Sequence, residues 1–297
     1  MNKLNDFPID QSVVSLWVFK SSLKRAFSVR LSPELSTALK GIKLACTKGV
    51  EVAVEYDAGA DLGKDTLMTL TGPIEQWTQM ALLMNAPIED RLVRSIMGLQ
   101  NNYAYVVTFL NEGKKLFAVK KVSSSLGSKK ATNFLSAMFS NDTLDLSENL
   151  IFSLAKYFDF FVLEDEFFIL RREQFESVLG FKEHYKKSFV ELLADNDFNK
   201  RFKNLEVLKN YVSDNAIHLG RMSSIKQKKK YADDIYWQSV LSLNKSEGWG
   251  IQIDDSNFVI EEGSVRSLVS ILLGHRVKSL CDREISDASG LISLKRK

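Results

Sequence analysis

Cysteine and histidine, the two residue types most often recruited for covalent and metal chemistry, are scarce in this chain. Cys46 and Cys281 are its only cysteines. They stand far apart and in no metal-ligand spacing, which argues against a disulfide framework or a thiolate zinc site and predicts a reducing, cytoplasmic home. The histidines His184, His218 and His275 are isolated, and no His-Glu-x-x-His, Cys-x-x-Cys or Gly-x-Ser-x-Gly occurs. The signatures of metalloproteases, thiol oxidoreductases and serine hydrolases are therefore missing. Long apolar runs are missing too: a stretch such as Met80 to Met84 is far too short to cross a bilayer. Met1 to Asp10 is polar, so neither a signal peptide nor direct membrane insertion is expected. The sequence assigns no catalytic residue, no metal ligand and no cofactor.

What is present is an ordinary globular composition, with 45% hydrophobic and 26% charged residues and a formal net charge of +3 over 297 residues. That length has room for two domains. A motif of two alternating strands, a polar turn and an amphipathic helix recurs without a fixed period. The first copy is Val13 to Lys20 with Phe27 to Leu31, and a helix then opens at Ser32 and Pro33, an N-cap followed by a proline suited to the first helical position. The second is Tyr103 to Leu110 with Leu116 to Val122, turning at Asn111, Glu112 and Gly113, with an expected helix carrying Phe134, Leu135, Met138 and Phe139. The third is Phe158 to Leu163 with Phe167 to Leu170, leading into a helix at Phe175 and Leu179. The last is Trp249 to Ile253 with Phe258 to Ile260, followed by Val265, Leu268, Val269 and Leu272.

Two further helices are expected, one from Pro73 to about Met84 and one after Pro87 with Ile88, Leu92, Ile96 and Leu99 on one face. From Phe181 to Lys230 the period is helical, with stripes at Phe181, Tyr185, Phe189, Leu192 and at Phe198, Phe202, Leu205, Leu208. The fold class is α+β: recurrent β-hairpin-plus-helix units with a helical segment between residues 181 and 244. Gly98 and Asn101-Asn102 break the pattern, which divides the chain into an N-terminal α+β domain, 1–100, and a second α+β domain, 101–297. Asp142 to Asn149 marks a weaker break.

One stretch departs from the near-neutral background. From Gly113 to Asn141 the residues Lys114, Lys115, Lys120, Lys121, Lys129 and Lys130 meet no Asp or Glu. A patch of one sign is what contact with a polyanion requires, and nucleic-acid backbone is the first such partner. Strand alternation sets Lys120 and Lys121 on opposite faces, so one of them is expected on a packed face with its stem buried. Lys129 and Lys130 fall at the start of the expected Phe134 helix. There they oppose the helix dipole unless an anion docks among them and Ser123, Ser124, Ser125 and Ser128. A solvated loop is the plainer reading. A nucleotide P-loop does not fit, since Gly127 has neither the second glycine nor the Lys-Ser/Thr pair.

A second basic run is Arg221, Lys226, Lys228, Lys229 and Lys230, on a helix anchored by Leu219, Met222 and Ile225. Its plainer reading is ion pairing of Lys229 with Asp233 and of Lys230 with Asp234 at four-residue spacing. Lys200, Arg201 and Lys203 read as the polar face of a helix. For a magnesium nuclease, Glu112 with Lys114 and the pair Asp254-Asp255 are the available acids, but both sets fall in hairpin turns.

The segments Phe158 to Leu163, Phe167 to Leu170 and Gln174-Phe175-Glu176 form a central hairpin and helix. With Leu116 to Val119, Trp249 to Asp254, Ile260, Leu272-Leu273 and Val277-Lys278-Ser279, they make a set that resembles the KwaB-type subunit of the bacterial Kiwa anti-phage defence system, over about residues 100 to 285. The resemblance implies a cytoplasmic, DNA-binding defence subunit that self-associates as a homodimer and acts with a small membrane protein of the KwaA type, which would recruit it to the inner face of the membrane. Taken with the lysines, the expected function is non-enzymatic DNA binding within an antiviral complex. The phosphate contacts expected are Lys114, Lys115, Lys121, Lys129 and Lys130, with Lys226, Lys228, Lys229 and Lys230 as a second patch. Arginine is absent from the lysine clusters, so strong sequence preference is not expected. The alternatives are a magnesium-dependent nuclease and a scaffold whose lysines bind an acidic protein partner.

Overall fold

The computed structural model describes residues 2–20, 25–63, 65–85, 91–94, 102–122, 134–140, 142–146, 152–279 and 284–288. They fall into two compact units, the first made of Met1–Tyr56 with Leu62–Leu179 and the second of Asp57–Asp61 with Gly180–Lys297.

In the first unit the hairpins merge into one nine-stranded sheet. Its strands are β1 (Val13–Lys20), β2 (Ala26–Val29), β3 (Val52–Glu55), β4 (Thr66–Thr71), β5 (Leu92–Val93), β6 (Asn102–Asn111), β7 (Lys114–Lys121), β11 (Phe160–Leu163) and β12 (Glu166–Ile169). Their order is β3-β4-β12-β11-β7-β6-β1-β2-β5, so strands from both sides of residue 100 share the sheet. The neighbours pair antiparallel except at the two edges, where β3 with β4 and β2 with β5 run parallel. In the middle, every residue of β6 from Ala104 to Phe109 is buried. A strand covered on both faces reads as a continuous apolar run rather than an alternation, as Val106-Val107 shows.

Helix α2 (Pro33–Thr47) covers one face with Leu35 and Leu39, and its N-cap forms as the sequence predicts: Ser32 Oγ accepts from the Leu35 amide at 3.2 Å. The other face carries an aromatic cluster. Trp77 of α3 (Glu75–Met84) meets Phe117, Phe160 and Phe167 edge-on at 5.1, 6.5 and 6.1 Å, and Phe175 of α4 (Arg172–Val178) meets Phe160 at 5.1 Å. Such edge-to-face pairs add roughly 0.5–1.5 kcal/mol each beyond area burial. A short α1 (Asn2–Asn5) places the Leu4 carbonyl 2.8 Å from the fully buried ammonium of Lys43. A second sheet, β8 (Phe134–Ser140) between β9 (Thr143–Leu146) and β10 (Phe152–Ala155), completes the unit.

β8 corrects one expectation. Phe134 to Phe139 was predicted to be helical and is a strand, pairing Ala137 with Leu146 on one side and with Phe152 on the other. A seven-residue apolar run fits either period, and later strands decide between them. The helix expected after Pro87 is also corrected in part: Leu92 lies in β5, paired parallel with Ser28 of β2. Pro87, Ile88, Ile96, Gly98 and Leu99 lie outside the described residues.

The second unit is mostly helical: α5 (Phe181–Ala194), α6 (Asn196–Asn199), α7 (Leu205–Val212), α8 (Ala216–Lys228), α9 (Asp234–Ser246) and α10 (Val265–Leu273). Phe202, expected in a helical stripe with Phe198, instead lies in β13 (Phe202–Lys203), parallel to β15 (Asn257–Val259), which pairs with β14 (Ile253–Asp254). It stays in the core, where Trp237 meets Phe202 at 5.4 Å and Phe258 at 5.2 Å. The hairpin β16 (Arg276–Lys278) with β17 (Ile285–Asp287) closes the described part. Asp57–Asp61 pack into this unit: a Cβ on Gly59 would stand 2.8 Å from Leu273 Cδ2, so only glycine fits there undisturbed.

Candidate nucleic-acid interface

The β6–β7 hairpin sets Lys114 and Lys115 at its tip because Glu112 (φ 46°) and Gly113 (φ 82°) both adopt positive φ, as a two-residue type I′ connection requires. Both lysines are exposed. Lys114 Nζ lies 3.6 Å from the exposed Glu164 carboxylate, and Lys115 Nζ donates to Asn85 Oδ1 at 2.8 Å. An exposed pair of this kind contributes roughly 0–1 kcal/mol and is readily exchanged for another anion.

At the far end of β7, about 20 Å along the strand, the alternation resolves as expected. Lys120 faces inward with Leu116 and Ala118 and is buried; its Nζ lies 2.9 Å from Oδ2 of the fully buried Asp159 and 4.7 Å from the Tyr157 ring centroid. Asp159 Oδ2 also accepts the Lys121 amide at 2.7 Å, and Arg171 stacks on Tyr157 at 3.9 Å. Burial pushes the Asp159 carboxyl up, with Lys120, the Lys121 amide and Arg171 opposing it. Lys121 is half-buried on the opposite face, donating to Ser177 Oγ at 2.5 Å and lying 5.7 Å from the Tyr103 ring centroid. Lys114 and Lys115 thus share one end of β7 and Lys121 the other.

Lys129, Lys130 and the serines Ser123, Ser124, Ser125 and Ser128 lie outside the described residues. The helix dipole expected to oppose Lys129 and Lys130 does not exist, because Phe134–Ser140 is a strand.

In the second unit the lysines of α8 and its end are laced with acids. Lys226 pairs with Glu191, Lys228 with Asp57 at 2.6 Å, and Lys229 with Asp195 and Asp197 at 3.5 and 3.8 Å. Lys230 has no carboxylate partner among the described residues and lies 5.6 Å from the Tyr236 ring centroid. The expected pairs Lys229–Asp233 and Lys230–Asp234 do not form. α8 ends at Lys228 and Lys229 turns left-handed (φ 46°), which destroys four-residue spacing. Asp233 instead caps α9, accepting from the Ile235 and Tyr236 amides at 2.9 and 3.2 Å. Asp234 pairs with Arg201, which is nearly buried and donates from Nε to the Tyr231 carbonyl at 3.0 Å. Lys200, Arg201 and Lys203 therefore do not line a helix face: α6 is a single turn, and Lys203 lies in β13.

The acids weighed for metal chemistry are engaged elsewhere. Lys203 Nζ lies 2.5 Å from Asp254 and 3.2 Å from Asp255, and Glu112 belongs to a turn of the other unit. Among the described residues, no three His, Cys, Asp or Glu side chains gather as a metal-binding group. Sequence reading missed one basic group: the β2–β5 pairing brings Arg25 and Arg91 together around Phe27, at a cavity of about 160 Å³. Nothing local signals it, because the two arginines belong to different segments.

These features define an α+β protein whose cations are set at strand and helix ends, partly neutralised by acids of the same unit. The family described as "Kiwa protein KwaB-like" matches residues 99–281. With more than half of its length matched, the chain belongs to that family and is a Kiwa defence subunit of the KwaB type. No curated protein and no solved structure matches it. No helix among the described residues is long and apolar enough to cross a membrane.

Proposed function

We propose that this chain is the DNA-binding, non-enzymatic subunit of a Kiwa-type defence complex, gripping phosphate backbone without strong sequence preference. The acid-free run of six lysines from Gly113 to Asn141 carries the reading. Its exposed members Lys114 and Lys115 stand at a hairpin tip, where the single ion pair is weak. Lys121, Lys129 and Lys130 extend the contact, and Lys230 with its neighbours Lys226, Lys228 and Lys229 forms the second patch. The acids beside that patch dilute its field, so it contributes less per lysine. Lysine ammonium groups act as point charges toward phosphate and do not offer the bidentate fork that reads guanine.

The family supplies the rest of the proposal: a cytoplasmic homodimer that meets a membrane protein of the KwaA type and is held by it at the inner membrane face. Dimerisation would raise affinity through avidity. The test is titration of purified protein with duplex DNA at two salt concentrations, wild type against Lys114→Glu/Lys115→Glu. Neutralising about five phosphates gives a log–log salt slope of roughly −4 to −5, and the double variant should weaken binding and flatten the slope. Failure of the wild type to shift DNA, with retention of an acidic partner protein, would favour the scaffold reading. The nuclease reading gains no support, since Lys203 engages both Asp254 and Asp255.

A further inference from the structure

The second unit holds a cavity of about 150 Å³ where α8, α10 and the β16–β17 hairpin converge, lined by Arg221, Arg266, Ser270, His275 and Asp287 over an apolar floor that includes Leu273. Its size is below the roughly 300–1,000 Å³ of sites for drug-sized ligands, so its occupant is compact. Most cations elsewhere in this unit are paired with acids, and these two guanidiniums are not. Among the described residues, Arg221 and Arg266 make neither an ion pair nor a hydrogen bond. The single lining carboxylate, Asp287, feels Arg266 only at longer range and makes its ion pair with Arg276. Asp287 is held in a two-point contact by Arg276, Nε at 2.9 Å and the terminal nitrogen at 3.1 Å, and by the Ser270 hydroxyl.

His275 gives a second, independent observation. It is more than nine-tenths buried, its ring has no hydrogen-bond partner among the described residues, and it lines the cavity. Its backbone is fixed on both sides, the amide donating to the Ser270 carbonyl at 2.9 Å and the carbonyl accepting from the Ala288 amide at 2.8 Å. Burial pushes its pKa down, and Lys228 and Arg221 push the same way, against Asp57 and Asp61. The ring is therefore a neutral donor at neutral pH rather than a third cation. The ring nitrogens are not sealed from solvent, so an anion entering the cavity can reach them.

We propose that this cavity binds a phosphate dianion, with Arg221 and Arg266 as the charged donors and the His275 ring N–H as the neutral one. Two guanidiniums match two negative charges and offer paired N–H groups to tetrahedral oxygens. A carboxylate monoanion would leave one arginine without a counter-charge. Free orthophosphate and the monoester of a mononucleotide share this chemistry. The site borders Lys228 and Lys230 of the second lysine patch, with Lys228 Nζ 3.5 Å from the Leu273 carbonyl, but it uses neither side chain and stands whether or not the DNA reading holds.

The test uses the full chain in phosphate-free buffer at constant ionic strength, with calorimetric titration and thermal melting against orthophosphate, AMP and adenosine. Orthophosphate or AMP should bind saturably and raise the melting temperature, and adenosine should not. AMP binding more tightly than orthophosphate assigns a monoester ligand; equal or weaker binding assigns the free ion. Arg266 is exposed and the safer variant for folding. Arg266→Ala should lose at least about tenfold in affinity, Arg221→Ala the same, and Arg221→Lys only part of it, all with unliganded melting near that of the wild type. Absence of saturable binding by both anions, or affinity unchanged in Arg266→Ala and Arg221→Ala, overturns the proposal.

Discussion

The ammonium of Lys120 sits 2.9 Å from the carboxylate of Asp159, and both are buried. One lysine of the basic run is thereby withdrawn from any surface. Asp159 also receives the Lys121 amide and, from its own backbone carbonyl, accepts the Leu170 and Arg171 amides at 3.0 and 2.9 Å. The ion pair thus ties the end of β7 to the hairpin that follows it. Truncating one partner strands a buried charge. Lys120→Ala or Asp159→Ala should destabilise the protein by about 3–5 kcal/mol, whereas a joint Lys120→Met/Asp159→Leu exchange should recover most of that loss. Urea unfolding of the three variants checks it, and strictly additive losses would remove the coupling.

The two ends of β7 should behave differently toward DNA. Lys114→Glu/Lys115→Glu should reduce the magnitude of the salt slope by about 2, near 0.9 per phosphate contact, without a change in thermal stability. Lys129→Glu/Lys130→Glu should do the same if those residues belong to the interface. Unchanged affinity and slope would take them out of it.

Glu112 offers a sharp contrast between a turn residue and a metal ligand. Its φ of 46° is tolerated by glutamate at a cost, and the following Gly113 already suits the second position. Glu112→Asn creates the favoured Asn-Gly pair and should stabilise the protein by about 0.5–1 kcal/mol. A fall in melting temperature, or loss of a magnesium-dependent DNA cleavage activity in this variant, would contradict the assignment of Glu112 to the turn.

Asp57 should carry part of the acid sensitivity of the second unit. Burial pushes its carboxyl up, but Lys228, Ser224 at 2.6 Å and the Gly59 amide at 2.8 Å outweigh that and hold it below the usual carboxylate range. A lowered folded pKa means the unfolded chain takes up protons first. The stabilisation is therefore fully present above about pH 3.9, the unfolded value, and is lost as pH falls through the folded one. Asp57→Asn should lower stability at neutral pH and flatten its decline in acid, measured by urea melts across that range. An unchanged acid profile would show that Asp57 is not the group involved.

Local chemistry was legible where a few neighbouring residues decide the outcome. Ser32-Pro33 opened α2, the turn at Glu112-Gly113 closed a hairpin, and alternation along β7 put Lys120 and Lys121 on opposite faces. The phosphate-type cavity was not legible, because Arg221, Arg266 and His275 come from separate elements that carry no shared spacing.

The sequence by itself determined which segments form hairpins, where most helices of residues 181–244 run, and that lysine dominates one acid-free stretch. Turn dihedrals, caps and apolar periods act over a few residues, and they are encoded there. Only the tertiary structure decided that β4 joins β12, Met68 opposite Ile169, that Phe134–Ser140 is a strand, and which lysines meet an acid. A strand edge accepts any partner with a compatible pleat, and a charge any counter-ion within reach. Those choices are settled by which surfaces the rest of the chain leaves to be covered.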